Sequence, residues 1–451
     1  MAWGRVKRLH STTHMKPPFT LCLRVVLHVA LLRAPVGLTR AEQKDEAPEF
    51  RTPHAPNGGS LVLGPDGYFW GATQGGGIKE GGTIYKVKSD GSDFTHVLSF
   101  TGNGPSNKGS GPRAGLVNDG KGFLWGTTYE GGHSDQGTLF KVNASTGVLT
   151  TVVEFSQDGT ANKGYHPLAE LVSDGKGSFW GSTNSSGGEF SWGTIFKVDI
   201  STGVLTTVVE FTKNGPLNRG CRPRGGLLDD GQGSFWGTTE GDYSPMIVRH
   251  SWDEAESYGT VFKVDATSGV LTTVVEFTDN GAANKGCTPM AGLANDGKGS
   301  FWGTTNGGGA NGTGTVFKVN AATGVLTTVI EFAARTAKSN PSFPEARLVN
   351  DGQGFLWGTT SDANFGFGSG NDNGTVFKIN ISTGTLTTVW KFGEGSILYQ
   401  GTTPLAGLVS DGSGSFLGTT VSGGEGGGTV FKVNATTGAL SILVWFDKPG
   451  R

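Results

Sequence analysis

The stretch "TVFKVN" (residues 315–320) alternates, with Phe317 and Val319 on one side and Val316, Lys318 and Asn320 on the other. A period of two predicts a β-strand whose two faces meet different surroundings. It lies within a longer unit, "PMAGLANDGKGSFWGTTNGGGANGTGTVFKVNAATGVLTTVIEF", that holds four strand-like runs. These cover residues 291–295, 300–305, 315–320 and 325–332, and "DGKG", a glycine-rich loop and "AATG" separate them. Asp-Gly and Thr-Gly supply turns with positive φ, which glycine adopts without steric cost.

The unit recurs. "WGTT" or a near variant stands at Trp70, Trp125, Trp180, Trp236, Trp302 and Trp357, with "LGTT" at Leu417. "GTVFKV" or its equivalent comes after it each time, from Gly82, Gly137, Gly193, Gly259, Gly314, Gly374 and Gly428. That makes seven copies, and the basic period is 55 residues, as from Trp70 to Trp125 and from Trp125 to Trp180. Four antiparallel strands per repeat of this length predict an all-β fold, a seven-bladed β-propeller. The expected propeller spans residues 58–446, with blades at about 58–100, 113–155, 168–211, 223–277, 289–332, 344–392 and 404–446. The recurrent Trp and the Phe of "FKV" read as fillers between blades, and the Gly after Trp as room for a close neighbour. The first and last copies each contain all four strands, so the ring is expected to close edge to edge.

Composition agrees with strands and tight turns: 78 of 451 residues are Gly and only 16% are charged. A formal net charge of -2 lacks the basic footprint of a nucleic-acid binder. Residues 1–41 differ in kind. From Met15, itself a candidate start, "MKPPFTLCLRVVLHVALLRAPVGLTRA" has the basic, apolar and small-residue order of a secretory signal peptide cleaved near Ala41. Residues 42–57 read as a linker. No stretch after residue 50 is apolar for long enough to span a bilayer. The expected product is secreted, extracellular or periplasmic, and monomeric.

The motif "DGxGxFWGTTxxGG…GTVFKV" resembles the tandem GloVer repeat of secreted and surface-anchored proteins from bacteria such as Verrucomicrobia and Gloeobacter. The resemblance covers all seven copies. It implies export and a propeller, and it implies no activity or catalytic residues. "DGKGSFW" is also similar to the Asp-box turn of sialidases, but its Asp is displaced by one position, so it reads as a hairpin turn.

In such a blade the 1–2 and 3–4 turns share one face and are short and uniform. The 2–3 loops and the blade-to-blade loops share the other face, where they are long and variable, and function is built on such loops. Three features fall on that variable face. The first is an insertion in blade four between Glu240 and Tyr258, with Asp242, Tyr243, Arg249, His250, Trp252, Asp253 and Glu254. Aromatics with Arg and carboxylates suit recognition of a protein or a sugar ring. The second is the recurring "NKG" of the blade-to-blade loops, where Lys108, Lys163, Arg219 and Lys285 would form an arc of positive charge facing an anionic ligand. The third is Cys221 with Cys287, at equivalent positions of successive loops, expected to form a disulfide.

On the innermost strand, Glu170 and Arg347 replace the Gly of "AGL" and are expected to face the channel. No metal motif, nucleophile elbow or phosphate loop appears in the sequence, and neither a metal nor a cofactor is expected. The reading is a non-catalytic binding or scaffold module for a protein or polysaccharide ligand. The alternative is a carbohydrate-active lyase or hydrolase using carboxylates such as Asp253, Glu254 or Glu240.

Overall fold

The computed structural model describes residues 59–447 apart from 158–161, 187–191, 216–217, 243–256, 280, 334–341, 362–372, 394–400 and 424–425. The expected signal peptide and linker lie outside the described residues, as do Tyr243, Arg249, His250, Trp252, Asp253 and Glu254.

Seven sheets each hold four antiparallel strands paired in sequence order, giving a seven-bladed propeller with no helix among the described residues. Blade one is Val62–Leu63, Phe69–Thr73, Thr83–Val87 and Thr95–Ser99. Blade seven is Val409–Ser410, Ser415–Thr420, Gly426–Asn434 and Leu440–Asp447, so each end of the ring uses strands of its own repeat. No described helix is long and apolar enough to cross a membrane.

The core divides into seven clusters, and each draws on two successive blades. Trp125 and Phe155 of blade two meet Leu171 and Phe179 of blade three, for example. One cluster joins Phe69 and Tyr85 of blade one to Leu417, Val444 and Phe446 of blade seven. Among the described residues the ring is therefore closed by side-chain packing, with no strand shared across the seam.

The glycine after Trp has a specific task. Gly126 pairs across the strands with Phe140, whose ring lies over it. A Cβ on Gly126 would stand 2.7 Å from both the Phe140 ring tip and the Leu116 side chain. The same arrangement recurs in every blade, so this glycine is the space that the strand-three aromatic fills. In blade one that aromatic is Tyr85, whose buried hydroxyl has no hydrogen-bond partner. Burial without a partner also drives its pKa upward.

On the short-turn face each "DG" turn is tied to the core. The Asp119 Oδ1 accepts from the N–H groups of Lys121 at 2.7 Å and Phe123 at 3.0 Å. Its Oδ2 accepts from the Trp125 indole at 3.2 Å. Trp302 and Trp357 donate to Asp296 and Asp351 in the same way, at 3.0 Å each. Blade seven has Leu417 in place of Trp, and there the Lys432 ammonium takes over, 2.8 Å from Asp411.

The innermost strand is shorter than the sequence suggested. In blade five it pairs over Ala294–Asn295 only, because its first half leaves its neighbour to line the axis. There the backbones of adjacent blades abut: a Cβ on Gly225 would stand 2.6 Å from the Ala291 carbonyl oxygen.

Candidate functional site

Each blade-to-blade loop from blade two onward ends in a proline: Pro112, Pro167, Pro223, Pro289, Pro344 and Pro404. The residue before it lies in the left-handed region every time. The φ values are 62° at Gly111, 57° at His166, 58° at Arg222, 54° at Thr288, 55° at Phe343 and 60° at Thr403. For β-branched or bulky residues this costs on the order of 1–2 kcal/mol each. The hydrogen bonds explain why it persists. The Phe343 N–H donates to the Thr313 carbonyl of the preceding blade at 2.9 Å, and its own carbonyl accepts from Ser361 at 3.1 Å. His166 makes the equivalent pair with Gln136 and Asn184, and Thr288 with Tyr258 and Asn306. These strained residues stitch neighbouring blades together on the variable face.

They also place the residue just past the proline at the mouth of the axial channel. That residue is Arg113, Leu168, Arg224, Met290, Glu345 or Leu405. All of these except Arg113 line one axial cavity to which every blade contributes. On one side of the mouth the Arg113 guanidinium lies 3.7 Å from the Tyr129 ring centroid. The His166 imidazole stacks on the same ring, 4.1 Å between centroids and 15° between planes. Burial chiefly holds His166 below its ordinary pKa, so the imidazole is neutral near pH 7.

On the other side Arg224 stands 3.7 Å from the Glu240 carboxylate. Glu345 accepts from Asn306 at 3.3 Å and Ser361 at 3.4 Å. Glu345 is partly exposed to the cavity, yet protein surrounds its carboxyl, and this burial pushes its pKa up to about 7. Arg224 and the Ser361 bond oppose that rise, and Glu240 reinforces it. A carboxyl poised there, beside a second carboxylate and a guanidinium, has the electrostatics of an acid–base group.

The four "NKG" cations all find carboxylates. Lys108 lies 2.7 Å from Glu154, Lys163 2.7 Å from Glu210, Arg219 2.6 Å from Glu276 and Lys285 2.5 Å from Glu331. Each partner is the last residue of strand four in the next blade. Blades six and seven carry Lys391 and Trp445 at that position, and their loops have no basic residue at the "NKG" lysine. The glycine of the motif is needed in its own right: a Cβ on Gly109 would stand 2.6 Å from Thr128 and 2.8 Å from the Thr138 hydroxyl.

The insertion is anchored at its stem. The Asp242 carboxylate accepts from the Ser257 N–H at 2.7 Å, and the Asp242 N–H donates back to the Ser257 carbonyl at 3.0 Å. Its root, Glu240, belongs to the mouth group just described. The expected disulfide is not formed: Cys221 and Cys287 are both free and buried. Cys287 points into its own blade, where a Cβ on Gly307 would stand 2.7 Å from its sulfur. Burial first, then the nearby Asp279, pushes its thiol up to about 12. Glu170 and Arg347 both line the axial cavity.

Arg113, Tyr129, His166, Arg224 and Glu345 escaped the sequence reading. For all but Tyr129 the signal was present one residue from the proline, where the copies vary while their surroundings repeat.

Among known protein families, a profile of the Gloeobacter/Verrucomicrobia repeat matches residues 46–247 and 246–450. No curated protein matches the chain in sequence. Among solved structures, the extracellular domain of a chain described as a hybrid two-component system from B. thetaiotaomicron is similar, with TM-score 0.52 and 15% identity over 86% of this chain and 40% of that one. Puromycin hydrolase is similar with TM-score 0.53 and 13% identity, over 88% and 54% of the two chains. A puromycin-hydrolyzing peptidase of Mycobacterium tuberculosis gives 0.50 and 12%, over 88% and 53%. The chain thus spans about half or less of each of these proteins, and the likeness is one of fold.

Proposed function

The chain belongs to the Gloeobacter/Verrucomicrobia repeat family, and from that premise we propose a secreted, non-catalytic binding or scaffold module whose protein or polysaccharide ligand sits on the variable-loop face. The observation that carries this reading is the channel mouth. There Arg224 and Glu345 line the opening with Glu240 beside Arg224, and the Arg113–Tyr129–His166 stack lies near Arg224, on loops held by strained backbone. Flat aromatic and guanidinium surfaces beside carboxylates suit a sugar ring or a peptide. The insertion, with Asp242, Tyr243, Arg249, His250, Trp252, Asp253 and Glu254, begins at Glu240 of this group, and its composition suits the same kind of ligand. Lys108, Lys163, Arg219 and Lys285 lie further out, where their glutamate partners moderate any pull on an anionic ligand. Export by way of residues 1–41 accords with the extracellular domain among the similar structures, although the fold serves hydrolases as readily.

The test is a glycan and peptide array probed with wild type, with Tyr129→Ala and with a chain lacking residues 243–256. Retention of a ligand by wild type, weakened at least about tenfold in either variant, supports the reading. Equal retention by all three removes the variable face as the site.

One observation favours a second reading, a carbohydrate-active enzyme. Glu345, raised to about 7, faces the same Arg224 as Glu240. Release of new reducing ends or unsaturated ends from a polysaccharide, lost in Glu345→Gln, would establish it.

A further inference from the structure

Along the axis, the third residue after each proline is Gly115, Gly226, Gly292 or Gly407, except that blade three has Glu170 and blade six Arg347. Blade one presents Ser60 at the same level. Half-buried charges elsewhere in the ring are paired, as Lys86 with Asp66 at 2.9 Å and Lys432 with Asp411 at 2.8 Å. In the cavity Arg224 is engaged by Glu240, and Glu345 by Asn306 and Ser361. The side chains of Glu170 and Arg347 have no hydrogen bond or ion pair among the described residues, although both are partly buried. Two opposite charges left unpaired on the wall of one cavity offer a site to a ligand that carries both complementary charges.

The Glu170 side chain lies across the neighbouring blade. The space that a Cβ would fill at Gly115 is 2.9 Å from the Ser60 carbonyl oxygen and closer still to the Glu170 carboxylate. The Glu170 carboxylate thus packs against the Gly115 backbone beside the Ser60 carbonyl, an acceptor without a donor that suits an ammonium group. Arg347 faces the same cavity from blade six, three blades further round the ring, and offers the fork that suits a carboxylate. Ser60 lies between the two, its hydroxyl 3.0 Å from where a Cβ of Gly407 would stand, beside the Arg347 backbone.

We propose that the axial cavity binds a small zwitterion of the amino-acid class, its ammonium at Glu170 and its carboxylate at Arg347. Neither Glu170 nor Arg347 belongs to the Arg113–Tyr129–His166 stack or the Arg224–Glu240–Glu345 group, so substituting them tests this site apart from the ligand of the outer face.

The test is calorimetric titration of the wild-type protein with glycine, β-alanine, γ-aminobutyrate and 6-aminohexanoate, whose charges are progressively further apart. One member should bind at least about tenfold more tightly than methylamine or acetate. Its affinity should fall about tenfold or more in Glu170→Gln, in Arg347→Gln and in Gly115→Ala, whose methyl displaces the Glu170 carboxylate. Arg347→Lys, which keeps the charge, should recover part of it. Unfolding midpoints without ligand show whether each variant is folded. Absence of binding by all four compounds, or unchanged affinity in folded Glu170→Gln and Arg347→Gln, overturns the proposal.

Discussion

The two faces of this propeller are made from the same seven repeats and solve opposite problems. On the short-turn face an Asp-Gly turn recurs in each blade, two residues shorter in blade one, and its aspartate is occupied by the protein itself, bonded to backbone N–H groups and to an indole or an ammonium. On the variable face the backbone repeats just as strictly, with a left-handed residue before each proline, but the side chains it displays differ from blade to blade. A scaffold held by repetition on one face leaves the other free to vary, because the stitching there uses main-chain groups and not side chains. The lesson is that strain and variety coexist: the conformation is fixed by inter-blade hydrogen bonds, and the residue type is left open.

Substitutions can separate the two faces. The largest effect is expected at the tie between core and short turn. Trp302→Ala removes a side chain with 1% exposure and leaves Asp296 without its indole partner. It should cost about 4 kcal/mol, read as a large fall in the calorimetric unfolding midpoint. Tyr129→Ala, on the variable face, should cost only about 1 kcal/mol. Comparable losses would dissolve the distinction.

Next in size is a pH effect confined to the mouth. Glu345 has its carboxyl raised to about 7 in the folded chain, against 4.5 ordinarily. Between those values the folded protein holds more protons than the unfolded one, so stability falls as pH rises through that window. Allowing for water in the cavity, Glu345→Gln should recover roughly 2 kcal/mol at pH 8 and almost nothing at pH 4. A pH-independent difference between the two proteins would contradict the assignment.

Smaller still is the gain from Tyr85→Phe. The other six blades have Phe at this position, and the Tyr85 hydroxyl is buried without a partner. The change should raise stability by about 1 kcal/mol, measured by thermal unfolding. Least of all is Lys163→Ala, which breaks a solvent-facing pair with Glu210 and should cost no more than about 0.5 kcal/mol. A larger loss would make the "NKG" pairs part of the scaffold.

Much of the fold was legible in the sequence because each blade repeats one local pattern. Ser300–Thr305 and Thr315–Asn320 stand where alternation and turn residues put them. The inner strand, shorter than expected at Ala294–Asn295, was not, because its path is set by crowding at the axis and not by its own residues. The cysteine pair misled for a related reason. Equivalent positions on adjacent blades are repeated around the ring, but Cys287 is turned toward Gly307 of its own blade. The mouth was the least legible part. Within one repeat, Arg224 or Glu345 is only a variable residue after a proline, and their meeting depends on closure of the whole ring.

The most direct measurement of the central claim is hydrogen exchange of the protein with and without the ligand that the array identifies. The account predicts added protection at residues 109–113, 164–168, 220–226 and 342–347, around the mouth, and none in the short turns such as 119–122 and 145–148. Protection confined to those short turns would contradict it.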